Sequence, residues 1–564
     1  KRSSSSALAK AIEQRRTLPA LMRLADRALV RCSPDGRYDL HELLRQYGEE
    51  KLHHSPSKAT EMRQRHADYF TSFLQQRLEQ LHGPDQRQAF REINAELQNV
   101  RAAWRWAVSQ ADEGAIHRAA TTYFLYCQQK CTYLEGANAL AQAAASLDGQ
   151  PSTPQRDRVL AQLHNHEGWL RIRVGEFRRA KLLFERSRSL YKRLGAPPPP
   201  HMGGASEAGL ALVAVIQGDV ERALKLAESA RRGSEQREDQ HNLAFAHYAL
   251  STAKLAEGDY EEAQKHAQKS TALARSLGNR WFLAYPLNEW GKAALALEDR
   301  AEAKHHFQAS YAIKREFNDA EGMAVALNHL GEIARLQGSF SEARDAFERS
   351  LGIYRTLNDR GGLATSYRGL AKVALSLDEI GEARKYLNEA LKIATDIDYL
   401  PLIFSLLVDV EPVLQQQGRA ELAVSLLSLV RHHPASDHEA TTKADLRLQH
   451  CRQQMPAQDF ADALQQGKSL GLESAINALR GSLAAPLDAT DLQASTDQNL
   501  IEPLTAREQE VLALLAEGHT NAQIAEELVL AMGTVKWYAS QIYGKLGVTN
   551  RTEAAARAWE LELL

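Results

Sequence analysis

Small and apolar residues recur along the middle of the chain at a fixed interval. The segments GEFRRA, GDVERA, GDYEEA, EDRAEA, GSFSEA, DEIGEA and GRAELA align on their last alanines: Ala180, Ala223, Ala263, Ala303, Ala343, Ala383 and Ala423. Successive steps are 43, 40, 40, 40, 40 and 40 residues, and the longer one contains Pro197 to Pro200, a stiff polyproline insertion that accounts for the excess. Register holds away from the alanines as well. Gly168, Gly291 and Gly331 stand twelve residues before theirs, Phe184, Phe307 and Phe347 stand four after, and the breaks LGN, FND and LND begin at 277, 317 and 357. Each unit reads as helix, tight turn, helix, loop, with small residues where paired helices approach and a phenylalanine plugging the next gap.

A different pattern governs the carboxyl end. If 534–546 is helical, then at 100° per residue Val535, Tyr538, Ala539, Ile542 and Leu546 share one arc about 100° wide, an inward stripe. Trp537 points nearly the opposite way, with Lys536, Ser540, Gln541, Gly544 and Lys545 around it, and no Asp or Glu occurs between Leu528 and Arg551. Two capping boxes precede this segment, Thr505 with Glu508 and Thr520 with Gln523; Gly518 closes the first helix. Val511, Leu512, Leu515, Ile524, Ala525 and Leu528 supply inner faces. Helix, short turn and helix with an acid-free outer face is the arrangement that lays one helix in a DNA major groove. Lysines there pair with phosphates, and an exposed indole presses on thymine methyls or sugars.

The first fifty residues follow neither pattern. VRCSPDGRYDLHELLRQYGEEKL predicts a short strand, a Pro-Asp-Gly turn at 34–36, a second strand and a helix. Between the repeats and the carboxyl-terminal helices, 481–503 is polar and weakly patterned, which reads as a linker.

Composition narrows the possibilities. At 564 residues the chain exceeds one ordinary domain, and 44% hydrophobic with 25% charged residues describes a well-packed protein. The longest apolar run, LIFSLLVDVEPVL, is interrupted by Asp409 and Glu411, so no membrane span is expected. Four cysteines without CxxC spacing suit a reducing cytoplasm, and Cys127 with Cys131 on one helix face reads as buried core rather than as metal ligands. The pairs His305-His306 and His432-His433 read as solvated. GKSLG at 467–471 fits GxSxG, but helical ADALQQ precedes it where a strand is needed, and Gly467-Lys468-Ser469 lacks the earlier glycine of a phosphate cradle. Nothing resembles a catalytic or metal-binding constellation, and no enzyme activity is expected. Net charge is −2, so a polyanionic partner must be met locally; even within 501–564 nine acids face five bases.

Three resemblances follow. The repeats resemble tetratricopeptide repeats, Gly331, Gly338, Phe340, Ala343 and Phe347 falling at that family's spacing, although the period is 40 rather than 34; a HEAT-like solenoid is the alternative. HELLRQYGEEKL and ELQNVRAAWRWAVSQADE, at 96–113, resemble the end of the winged helix and the following helix in STAND-class regulators. LTAREQEVLALLAEGHTNAQIAEELVLAMGTVKWYASQIYGKLGVTNRTEAAARA, 504–558, resembles a LuxR-type helix-turn-helix through LTxRExEVL, TVK, the KL-x-V turn and NRTEA. By that resemblance Lys536, Trp537 and Ser540 take the base-facing positions, Thr534, Lys545 and Arg551 hold phosphates, Asn521 opens the scaffold helix and also faces the backbone, and the helix through Trp559 forms the dimer surface. Ala531 stands where the family prefers a serine cap, and Tyr538 replaces the usual histidine.

The expected architecture is therefore all-α: 1–52 a winged-helix remnant, 53–150 a helical connecting region, 151–480 an extended tetratricopeptide-like α-solenoid, 481–503 a linker, and 504–564 a LuxR-type four-helix DNA-binding domain. The resemblance implies a cytoplasmic regulator of transcription that binds double-stranded DNA as a dimer or higher oligomer and takes a protein or small-molecule effector on its superhelix, with RNA polymerase as a further candidate partner. No cofactor is expected in this chain. The start, KRSSSSALAK, reads as the cut edge of a longer chain, and ATP enters only through an ATPase module upstream of it. The competing expectation is an interaction scaffold whose carboxyl-terminal domain only dimerises.

Overall fold

A computed structural model of the chain describes residues 19, 22–32, 38–195, 205–484, 504, 506–528, 535, 538, 539, 542, 543, 545, 546, 548, 550–561 and 563. Apart from one hairpin, the described residues form helices joined by tight turns. The hairpin pairs β1 (Val30–Cys32) with β2 (Tyr38–Leu40) antiparallel, Val30 opposite Leu40, and the helix Glu42–His53 follows directly. The Pro-Asp-Gly turn and the polyproline tract lie outside the described residues.

The repeats owe their regularity to a punctuation mark every twenty residues. Helices Gln240–Glu257, Tyr260–Ser276, Arg280–Ala296, Arg300–Glu316, Ala320–Leu336 and Arg360–Ser376 are capped by Asp239, Asp259, Asn279, Asp299, Asp319 and Asp359, whose side chains each accept from the backbone amide three residues on. Each such cap is worth about 1 kcal/mol. The residue before each cap has positive φ: Glu238, Gly258, Gly278, Glu298, Asn318 and Asn358. That left-handed residue reverses the chain between antiparallel helices, which is why glycine and asparagine recur there.

Packing follows the expected chemistry. Ala180, Ala223, Ala263, Ala303, Ala343 and Ala383 are fully buried. A Cβ built on Gly168 would stand 2.7 Å from the Phe184 ring, and one on Gly209, in the next unit, 2.4 Å from the same ring. Phe347 sits likewise between Gly331 and Gly369, at 3.1 and 2.3 Å. One ring thus occupies space that two consecutive units vacate, coupling neighbours as a solenoid requires.

The solenoid also coils back on itself. Gln86 donates to Asn279 at 2.9 Å across 193 residues and accepts from the Trp281 amide at 2.9 Å. Arg178 pairs with Asp398 at 2.8 Å, and the rings of Tyr260 and His438 lie 6.0 Å apart. Its last helix, Leu472–Ala484, runs past the expected linker start at 481, because Leu479 and Leu483 remain buried in the core. His306, expected in solvent, is buried against the Trp290 ring at 4.1 Å. Cys127 is buried, as expected, and burial pushes its thiol up to about 12.

Candidate nucleic-acid interface

The carboxyl-terminal unit is assembled from short helices around one small core. Helix Ala506–Ala516 ends at Gly518, which takes φ 93°. Helix Asn521–Glu527 begins with the predicted capping box: Thr520 accepts from the Gln523 amide at 3.3 Å while the Gln523 side chain accepts from the Thr520 amide at 2.8 Å. Val535, Tyr538, Ala539, Ile542 and Leu546 are helical and buried, each at most 5% exposed, and pack with Val511, Leu512, Leu515, Ile524, Ala554 and Ala558. These are the five positions of the expected inward stripe. Asn550 caps the final helix, Arg551–Glu560, by accepting from the Glu553 amide at 3.0 Å, and Trp559 on that helix is 66% exposed.

The candidate DNA contacts divide into two groups. Thr534, Lys536, Trp537 and Ser540 lie outside the described residues, as does Ala531. Asn521 opens its helix, half-buried, as expected. Lys545 departs from the outward placement that the helical wheel gave it: its ammonium stands 2.7 Å from the Glu508 carboxylate, with side chains 15% and 5% exposed. The pair links the third helix to the first, and its low exposure follows from the flanking stripe turning that edge toward Glu508. Arg551 donates to the Leu515 carbonyl at 2.7 Å, tying the last helix to the first. Both cations therefore already carry contacts that hold the unit together.

The unit also touches the solenoid. The Tyr538 hydroxyl donates to Glu348 at 3.5 Å, across 190 residues. The Glu348 carboxyl is pushed up to about 7, first by burial and then by the neighbouring Glu508; Arg344 and Lys545 oppose the shift and Asp345 adds to it. Beside this contact an open crevice of about 950 Å³ runs between Phe340, Glu342, Arg344 and Asp345 of the solenoid and Glu510 of the carboxyl-terminal unit. Neither partner could be inferred from the chain, since hydrophobic periodicity carries no information about pairs so far apart.

A second polar cluster lies where the solenoid coils back. Arg173 reaches Glu321 at 3.2 Å across 148 residues and donates to the Tyr285 hydroxyl, with its guanidinium 5.0 Å from that ring's centroid. Lys314 and Asp319, both 1% exposed, pair at 2.9 Å, and the Trp281 indole donates to the same carboxylate at 2.7 Å. Desolvation lowers the Lys314 ammonium below its ordinary range, while Asp319 is held down against its own burial by that lysine. Among the described residues no group of three or more metal-ligating side chains occurs, and no helix is long and apolar enough to cross a membrane.

Comparison with known proteins matches these units separately. Residues 502–558 fit the bacterial regulatory proteins of the luxR family, and 282–356 and 322–396 fit tetratricopeptide repeats. The probable transcriptional regulatory protein SgaR of Hyphomicrobium methylovorum is 44% identical over 85 residues, which is 15% of this chain and 39% of that protein. The DNA-binding transcriptional activator DevR/DosR of Mycobacterium tuberculosis is 46% identical over 79 residues, 14% of this chain and 36% of that protein. The chain thus spans less than two-fifths of the length of either relative. Among solved structures, a signal-transduction ATPase with numerous domains and a tetratricopeptide-repeat sensor, from Pyrococcus horikoshii, aligns at 14% identity with a TM-score of 0.43, covering 82% of this chain and 60% of that one. The chain therefore carries a luxR-family helix-turn-helix domain at its carboxyl end, behind a solenoid of tetratricopeptide repeats.

Proposed function

We propose that this protein is a sequence-specific DNA-binding regulator of transcription whose carboxyl-terminal domain reads DNA and whose repeat superhelix receives a protein or small-molecule effector. The observation that carries the reading is the buried stripe Val535, Tyr538, Ala539, Ile542 and Leu546 within the segment matched to the luxR family. A helix anchored along that stripe leaves the positions of Lys536, Trp537 and Ser540 for base contact, and these three are the proposed readers. Phosphate contact falls to Thr534 and Asn521. Lys545 and Arg551 act first as anchors, through Glu508 and the Leu515 carbonyl.

Nine acids against five bases in 501–564 make a single domain a weak polyanion binder. Binding strength comes from two copies on adjacent half-sites, paired through the exposed Trp559. Lys536→Ala is expected to weaken a selected site more than random duplex in a competition gel shift; equal weakening of both removes the base-reading assignment. Trp559→Ala is expected to shift the complex on a two-half-site duplex toward one copy per DNA, and an unchanged stoichiometry counts against the dimer surface.

A further inference from the structure

The reading domain meets the solenoid where the Tyr538 hydroxyl bonds Glu348, with Glu508 and Lys545 close enough to alter the Glu348 carboxyl. Tyr538 belongs to the helix proposed to enter DNA, and its ring is a fully buried member of the domain core. The contact therefore grips the reading helix itself rather than a peripheral loop. Around it the solenoid contributes Glu342, Asp345 and Glu348, and the domain contributes Glu508 and Glu510. The nearby cations are already engaged, Arg344 by Glu379 and Lys545 by Glu508.

We propose that this contact is an autoinhibitory dock, in which the repeat helix Phe340–Leu357 holds the reading domain in a state that disfavours DNA. The proposal rests on the DNA-binding reading above. Docking adds the carboxylates of Glu342 and Asp345, and that of Glu348 once it ionises, to the edge of a domain that already carries an acidic excess. Within a screening length of about 8 Å at physiological salt they raise the cost of bringing phosphates to the neighbouring helix. DNA binding and docking thus oppose each other, and by reciprocity DNA weakens the dock by the factor by which the dock weakens DNA binding. An effector that reshapes the solenoid around Phe340–Leu357 acts on the same equilibrium.

Two substitutions separate the dock from simple charge removal. Tyr538→Phe deletes only the hydroxyl and leaves the ring in the core. Glu348→Ala deletes the acceptor. Both are assayed in the full chain at pH 6, where Glu348 is mostly protonated and its burial in the dock costs least. The readouts are affinity for a 30-base-pair duplex by fluorescence anisotropy and hydrogen exchange across 535–546. Loss of this long hydrogen bond predicts about two- to threefold tighter DNA binding in each variant, with faster exchange in that helix. Tighter binding by Glu348→Ala alone would mean that the Tyr538 hydroxyl does not hold the contact, and overturns the dock. Unchanged affinity and exchange in both, in a chain that binds DNA, also overturns it while leaving the DNA reading intact. Absence of DNA binding by the parent and both variants removes the DNA reading and the inhibition with it.

Discussion

Replacing Lys545 by alanine distinguishes two physical roles for one residue. A lysine on an outward helical face would contact phosphate, and its loss would leave the domain's stability unchanged. The structure instead seats Lys545 2.7 Å from Glu508, the two side chains 15% and 5% exposed. Exposed ion pairs are worth about 0.2–1 kcal/mol, and breaking a fully buried pair costs about 3–5. This pair lies between those limits, nearer the buried one, because the stranded Glu508 carboxylate would stay desolvated. Lys545→Ala is therefore expected to lower the stability of the carboxyl-terminal unit by about 2–3 kcal/mol. Measured as amide exchange in helix Ala506–Ala516 of the full chain, that is a roughly 30- to 150-fold faster rate. The double variant Glu508→Gln, Lys545→Met, which removes both charges, is expected to recover at least half of the loss. Unchanged exchange, together with a salt slope of DNA binding shallower by about 0.9, would show that Lys545 neutralises a phosphate, and the anchoring argument would be wrong.

Three further outcomes follow. Phe347→Ala empties the space that Gly331 and Gly369 leave for one ring, and should cost about 3–5 kcal/mol in urea unfolding of the repeats; a loss under 1 kcal/mol would mean that the units are not coupled there. Gly369→Ala, whose Cβ would stand 2.3 Å from that ring, should destabilise the same region, and a stabilising effect would count against the packing. The third concerns pH. Glu348 is raised to about 7 in the docked state, so docking takes up a proton, is favoured as pH falls through 7 and is weakened above it. Glu508 and Asp345 push this way, Arg344 and Lys545 the other, and the Tyr538 hydroxyl bonds the carboxyl. DNA affinity of the parent chain should therefore rise about three- to tenfold more between pH 6 and pH 8 than that of Glu348→Gln, and parallel profiles would refute the assignment.

Much of this arrangement was legible in the chain because it is local. The 40-residue step, the breaks at 277, 317 and 357, and the fit of Phe184, Phe307 and Phe347 to Gly168, Gly291 and Gly331 all act within one or two units, where spacing dictates which atoms meet. The inward stripe from Val535 to Leu546 was legible for the same reason. The failures are pairs joined only by the folded path. A helical wheel places Lys545 by its own helix and is blind to Glu508, 37 residues earlier. Nothing in the spacing foretells Tyr538 against Glu348 or Arg173 against Glu321, whereas His306 on Trp290 keeps the sixteen-residue offset of Phe307 on Gly291 and is hidden only by the polarity of the residue. Polar residues are assigned to solvent by default, and the coil-back of the solenoid overrides that default wherever a partner waits on the next turn.

The most direct test of the central claim is the salt dependence of binding between the full chain and duplexes from the DNA upstream of its own coding sequence. A DNA-reading domain requires affinity that falls steeply with salt, log K against log salt having a slope of about −0.9 for each phosphate neutralised, together with at least one duplex preferred over random DNA at every salt concentration. A flat, undetectable response at all salt concentrations, in a chain whose carboxyl-terminal unit is folded by hydrogen exchange, would contradict the account and leave an interaction scaffold.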